Sequence, residues 1–281
     1  MVNAYVPKTL EDCLKLLNEF DLKIVAGGTD VLIQNRAPSQ LAIGYKKDVC
    51  YILQIEELKK IYEDDQYIYI GSAVSLEEIM DSMIVPEILR NTILEMASPA
   101  IRHTATLAGN IANASPAGDS LVTLYLLDAE IEIRSMNNLR RMKVSDFITG
   151  VRKIELAKDE LISKIIIPKF EFDQAYFKKV GPRLSDAISK VAFAGAYIVE
   201  GKKIKDFRVS FGAVNVTVVR ADELEQKIIS RTVKDIKKMK ETIVSWYEKA
   251  INPIDDQRSN KAYRKVVALN LLREFIENLN L

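Results

Sequence analysis

The chain has 281 residues, 40 basic and 39 acidic, and its net charge of +1 gives no electrostatic reason to expect nucleic acid or another polyanion as a partner. With 48% hydrophobic residues it can build a sizeable core, and its length exceeds what one core usually organises, so two or three subdomains are expected. No apolar run reaches membrane-spanning length without Asp, Lys or Glu, and the opening MVNAYVPKTLEDC meets a proline and acidic residues too early for a secretory signal, which predicts a cytoplasmic protein without a membrane span.

Thr9 and Asp12 have the spacing of a capping box ahead of a helix with apolar positions Leu10, Cys13, Leu14 and Leu17. The run Lys23-Ile24-Val25-Ala26 reads as a strand that delivers the loop AGGTD at residues 26–30, and Thr29-Asp30 then begins a short helical turn through Val31, Leu32 and Ile33. This is a β-loop-α unit. Tyr67-Ile68-Tyr69-Ile70 reads as a strand ending at Gly71, and Ser75 with Glu78 forms a second capping box before Leu76, Ile79 and Met80. Pro86 opens a helix through Leu89, Ile93 and Met96 towards Ser98-Pro99. A second glycine-bearing loop, TLAGNIANASPAGDS at residues 106–120, precedes a near-continuous apolar segment over 121–127. Residues 130–134 alternate with strand period, and so, imperfectly, do residues 161–167, which stop at Pro168, the expected domain boundary. Beyond it, residues 190–199 and 207–214 read as strands, and helices are expected over 221–230, 233–250 and 260–279. Strands followed by helices indicate an α+β arrangement rather than a doubly wound parallel sheet.

The chemistry-bearing residues are few. Two cysteines without CxxC spacing, Cys13 and Cys50, and one histidine, His103, cannot supply the four ligands of an ordinary iron–sulfur cluster or structural zinc site, so any metal belongs on another chain. Both cysteines read as buried small hydrophobes. The two glycine loops carry more. Gly27, Gly28 and Gly109 let backbone N–H groups approach a phosphate, and Thr29, Asn110, Asn113 and Ser115 offer side-chain donors, so one diphosphate gripped by both loops is the natural guest. A lone double glycine most often marks an ordinary turn, and neither loop matches GxGxxG or GxxxxGK[ST], which leaves a Rossmann fingerprint and a Walker-type nucleotide loop unsupported.

AGGTDVLIQ at 26–34 and IRHTATLAGNIANASPAGDS at 101–120 resemble the FAD-binding medium subunit of the molybdenum hydroxylases, the xanthine dehydrogenase and carbon monoxide dehydrogenase flavoprotein type. FKKVGPRLSDAISKVAFA at 177–194 and VSFGAVNVTVVRADELE at 209–225 extend the likeness, which ends near AYRK at 262–265. The resemblance implies a two-subdomain PCMH-type FAD-binding domain over residues 1–168, with a subdomain boundary near 55, and a C-terminal α+β domain of antiparallel sheet plus helices over 169–281. It implies FAD as cofactor, a large molybdopterin-binding subunit and a small iron–sulfur subunit as partners, and an external electron acceptor (NAD, oxygen or quinone). The substrate would be oxidised on the large subunit, so this chain alone is expected to be inactive as a hydroxylase and to hold no catalytic residue.

By the same resemblance, Val25, Ala26, Gly27, Gly28, Thr29, Asp30, Val31 and Leu32 wrap the FAD diphosphate and ribityl chain, and Ala105, Thr106, Leu107, Ala108, Gly109 and Asn110 meet it from a second subdomain. Asp119 either bonds the ribityl hydroxyls or caps the segment that follows it, and the two roles can coexist. One of Lys178 and Lys179 faces the flavin and stabilises its anionic reduced ring, while the other faces water; the family pattern favours Lys179, although Pro182 stands where that pattern often has an arginine. Phe177 and Ile162 match positions that pack apolar groups around the cofactor. Ala108 replaces a frequent glycine and is expected to need only smallness. His103 reads as locally bonded, and Trp246, Tyr67 and Tyr69 as core or sheet residues. Two other readings stand beside this one: a free-standing flavin oxidoreductase of the vanillyl alcohol oxidase type, which usually has a flavin-linking histidine and a longer substrate domain, and a scaffold subunit that has lost its flavin.

Overall fold

A computed structural model describes residues 2–36, 44–184 and 186–280. The first half runs β1 (Ala4–Tyr5), α1 (Leu10–Glu19), β2 (Lys23–Val25), α2 (Val31–Gln34), β3 (Val49–Tyr51), β4 (Ile61–Glu63), β5 (Tyr67–Gly71), α3 (Leu76–Asp81), α4 (Glu87–Leu94), α5 (Pro99–Arg102), α6 (Leu107–Asn113) and α7 (Asp119–Leu126). Then follow β6 (Glu130–Arg134), β7 (Leu139–Lys143), α8 (Val144–Phe147), β8 (Ile148–Gly150), β9 (Lys153–Ile154), β10 (Leu161–Pro168), β11 (Gln174–Val180), β12 (Val191–Glu200), β13 (Lys203–Gly212), β14 (Val219–Arg220), α9 (Asp222–Gln226), α10 (Val233–Lys238), α11 (Lys240–Ala250) and α12 (Lys261–Glu277). The fold is of the α+β class. No helix among the described residues is long and apolar enough to cross a membrane.

The chain forms two compact units, Met1–Pro86 with Ala97–Ala114 and Asp128–Lys169, and Glu87–Met96 with Ser115–Leu127 and Phe170–Leu281. The first unit holds a small parallel sheet, β1-β3-β2, and an antiparallel sheet, β4-β5-β10-β6-β7. Helix α1 covers the small sheet with Leu10, Cys13, Leu14 and Leu17, and its start is fixed by Thr9, whose side chain accepts from the Asp12 N–H. At α3 both halves of the capping box are made between Ser75 and Glu78. Strand β10 lies between β5 and β6, and its isoleucines are buried on both faces, which explains why its alternation was imperfect.

The second unit is built on the antiparallel sheet β11-β12-β13-β14. Its two faces differ in side-chain size. Phe193, Phe207 and Phe211 belong to the core shared with Ile243, Tyr247, Leu272 and Phe275 of α11 and α12, and Gly195 lets the Phe275 ring approach to where a Cβ would lie 2.8 Å from it. The alternate residues Ala192, Ala194, Ser210 and Gly212 face α7, every residue of which is buried. Ser210 donates to the Val122 carbonyl at 2.8 Å, and a Cβ on Gly212 would meet a Val122 methyl at 2.5 Å. Small residues on that face are what let a whole helix pack there.

Several boundaries differ from expectation. Residues 221–230 are helical only over Asp222–Gln226, the expected helix over 233–250 is interrupted at Met239, and β13 begins at Lys203 as the second arm of a hairpin with β12. Helix α4 ends at Leu94, because Ala97 takes a left-handed φ of 49° and Pro99 starts α5.

Candidate dinucleotide-binding site

Strand β2 pairs in parallel with β3, and the Ile52 N–H donates to the Val25 carbonyl at 3.0 Å, so the sheet fixes the point from which residues 26–30 depart. The two glycines there serve different ends. A Cβ on Gly27 would stand 1.8 Å from the Thr104 carbonyl oxygen, so only glycine lets the first segment touch the second. Gly28 has open enough surroundings, with contacts at 3.3 Å or more, but a φ of +73° that a side chain resists. Among the described residues, the N–H groups of Gly27, Gly28, Thr29 and Asp30 donate to no protein acceptor. Consecutive outward amides of this kind form an anion-binding concavity.

The second segment is not the loop expected from sequence. Leu107–Asn113 is a helix whose N-cap, Thr106, accepts from the Gly109 N–H at 3.0 Å. Because its third helical residue is glycine instead of glutamate, the segment lacks the sequence signature of a capping box. The Asn110 N–H is paired in turn with the Thr106 carbonyl at 3.1 Å, so this segment presents a capped helix start rather than a row of free amides. Ala108 is helical and buried, in keeping with a need for smallness rather than positive φ. Gln34 Nε2 donates to Asn113 Oδ1 at 2.9 Å and so joins the two segments, and the Leu76 N–H of α3 donates to the Ala105 carbonyl at 2.8 Å.

A cavity of about 330 Å³ lies within this first unit. All predicted residues over 25–31 line it, as do Ala105, Thr106, Ala108, Gly109, Asn110 and Ile162. Leu32 and Leu107 do not; Leu107 is in the core, and Leu32 packs under Gly28. Several lining residues were not expected from the sequence, Ser72 and Arg152 among them. Ser72 is buried and its hydroxyl has no partner, and its one signal was to be a polar residue directly after the strand-ending Gly71. Arg152, with a left-handed φ of 55°, brings a cation to the wall from the β8–β9 turn, outside every recognisable motif.

The remaining predicted residues belong to the second unit. Asp119 is the first residue of α7 and makes no cap hydrogen bond, which corrects the capping role: its carboxylate instead meets Lys179 Nζ at 2.8 Å and accepts from the Ser189 hydroxyl. Lys179 also donates to the Glu95 carbonyl at 2.8 Å, and its side chain is 6% exposed. Burial pushes the Asp119 carboxyl up from the ordinary range even with the ammonium beside it. Lys178, one residue earlier on β11 and on the opposite face, is exposed, while Phe177 is half-buried. His103 closes α5 through its own N–H, which donates to the Pro99 carbonyl at 3.0 Å. Trp246 packs against the second unit's core, and Tyr67 and Tyr69 lie on β5.

Comparison with known proteins gives the family. Residues 1–170 match the family described as FAD binding domain in molybdopterin dehydrogenase, and residues 175–279 match the CO dehydrogenase flavoprotein C-terminal domain. The chain is 28% identical over 275 residues to the glyceraldehyde dehydrogenase medium chain of Sulfolobus acidocaldarius, covering 96% of this chain and 95% of that one. It is 30% identical over 226 residues to the xanthine dehydrogenase FAD-binding subunit of Escherichia coli, covering 78% of this chain and 76% of that one. Among solved structures, quinoline 2-oxidoreductase from Pseudomonas putida shares the fold, with a TM-score of 0.88, 20% identity and coverage of 99% of this chain and 96% of that one.

Proposed function

We infer the role of this chain from the fact that it belongs to the molybdopterin dehydrogenase FAD-binding family: it is an FAD-binding oxidoreductase subunit that passes electrons from iron–sulfur clusters on a small partner subunit to an external acceptor. A large molybdopterin-binding subunit completes the complex and oxidises the substrate, and the assembly is cytoplasmic. When bound, FAD supplies the electron chemistry, and the protein supplies position and local electrostatics.

The observation that carries the reading is the row of unpaired amides at Gly27, Gly28, Thr29 and Asp30, facing a cavity whose wall also holds an unpartnered, buried Ser72 hydroxyl. The buried Ser72 hydroxyl calls for a partner, and the half-exposed amides beside it are free to donate, so acceptor oxygens suit this wall, and a diphosphate and a ribityl chain both provide them. The Gly27 contact with Thr104 holds the two segments at one wall, and Arg152 adds a positive charge there. In the second unit, the Lys179 ammonium is engaged by Asp119 and the Glu95 carbonyl, whereas Lys178 is exposed, so Lys178 is the one of the pair open to a ligand.

The test is reconstitution. The purified chain incubated with FAD, then desalted, is expected to keep the visible flavin bands, with FAD rather than FMN released on denaturation. A chain that emerges colourless would leave the scaffold reading in its place.

A further inference from the structure

The two cysteines, 37 residues apart in sequence, meet inside the first unit. Cys13 projects from α1 and Cys50 from β3, their Sγ atoms are 3.7 Å apart, and neither is exposed. Leu14, Leu17, Ile52 and Ile55 surround them in a core that would accept two aliphatic side chains equally well. Nothing in the electron-transfer role uses these thiols. Two thiols in contact can become covalently joined without the addition of any atom, and the Sγ atoms need to close from 3.7 Å to a bond of about 2.05 Å.

We propose that Cys13 and Cys50 form a reversible intramolecular disulfide between α1 and β3 when the protein meets a peroxide. Either Sγ can donate in this contact; with Cys13 as donor its S–H holds the Cys50 thiol below its ordinary range and Cys13 itself is pushed up, which favours Cys50 as the first nucleophile. Its thiolate attacks a peroxide oxygen; the O–O bond breaks, an S–O bond forms, and the departing hydroxide leaves as water with the thiol proton. Cys13 Sγ then attacks Cys50 Sγ; the S–S bond forms, the S–O bond breaks, and the hydroxyl leaves as a second water with the Cys13 proton. Two thiols lose two electrons in all, and one peroxide becomes two waters. Access comes through transient lifting of α1, a ten-residue helix held by one apolar face, since such segments open at lower cost than the whole fold.

The bond closes a loop that contains β2 and the glycines at 27 and 28. Constraining the unfolded chain over 37 residues lowers the unfolding equilibrium constant by on the order of a hundred- to a thousand-fold. The inference does not rest on the cofactor, and its test is read on sulfur. The full chain, reduced and desalted, is treated with hydrogen peroxide, quenched with catalase and denatured in N-ethylmaleimide. Its free thiols should fall from two to none, with a Cys13–Cys50 linked peptide after digestion, a higher thermal midpoint, and reversal of all three by dithiothreitol. Two persisting thiols, cysteines carrying only sulfinic oxygens, or disulfide-linked dimers would each overturn it. Cys13→Ser should show no rise in midpoint under the same treatment, and a rise there would also overturn it; the wild-type thiol count decides even if that variant does not fold.

Discussion

At single positions, the two adjacent glycines of the first segment separate packing from backbone strain. A methyl at Gly27 would overlap the Thr104 carbonyl at 1.8 Å, and that neighbour is backbone that cannot swing aside, so the two segments must part. A methyl at Gly28 meets only side-chain atoms at 3.3 Å and beyond, and its cost is the left-handed φ, about 1 kcal/mol. Gly27→Ala is therefore expected to weaken FAD binding at least a hundredfold and lower the thermal midpoint by several degrees, while Gly28→Ala weakens binding by about tenfold or less. Titration of each variant with FAD, followed by quenching of flavin fluorescence, ranks them; equal losses would mean that Gly27 serves only as turn backbone. The sequence announced that these glycines mattered. It could not say that one is pressed against a residue 77 positions away, because that contact exists only once the second segment has folded against the first.

The elements themselves were legible where a local signal matched a local cause. Thr9 and Ser75 are side-chain caps because their partners lie three residues on, and β5 was legible from its run of aromatic and β-branched residues bounded by Gly71. Helices α6 and α7 were not legible: a Thr-Leu-Ala-Gly start resembles a turn, and α7, buried all round, has no polar stripe to reveal its period. The same burial hid the task of Asp119, which ties α7 to β11 through Lys179. Removing the ammonium with Lys179→Met strands a buried carboxylate, and about 3–5 kcal/mol of stability should be lost at neutral pH. The pH dependence follows from the sign of the shift. The folded carboxyl titrates above its unfolded value because of burial, so the folded state takes up the proton first, and this group's contribution to stability grows as pH falls through the raised value. Without Lys179 the shift is larger, so the deficit of the variant relative to wild type should shrink between pH 7 and pH 4. Urea unfolding across that range measures it, and a deficit independent of pH would reduce the pair to mere packing.

For the whole molecule, the decisive inventory is what one chain can hold. Its compact units interleave along the sequence, the second drawing Glu87–Met96 and Ser115–Leu127 from the half that also supplies the 330 Å³ cavity, an arrangement no linear scan reveals. Ligand chemistry, by contrast, can be counted directly. Two cysteines that face each other in a core, together with one histidine at a helix end, leave no set of four thiolates or imidazoles from which an iron–sulfur cluster could be built. Under the proposed role, electrons would reach the flavin from another chain, and the bond-breaking step at the substrate would occur there too. The FAD-loaded chain alone is expected to catalyse no substrate-dependent reduction of a dye, whether offered an aldehyde, a purine or nicotinate, while the flavin within it still bleaches with dithionite. Activity should emerge only when the chain is co-expressed or mixed with its large and small partners, and should then scale with flavin occupancy. Turnover by the purified chain with any of these substrates would place the hydroxylation site on this polypeptide and require a free-standing flavin enzyme instead.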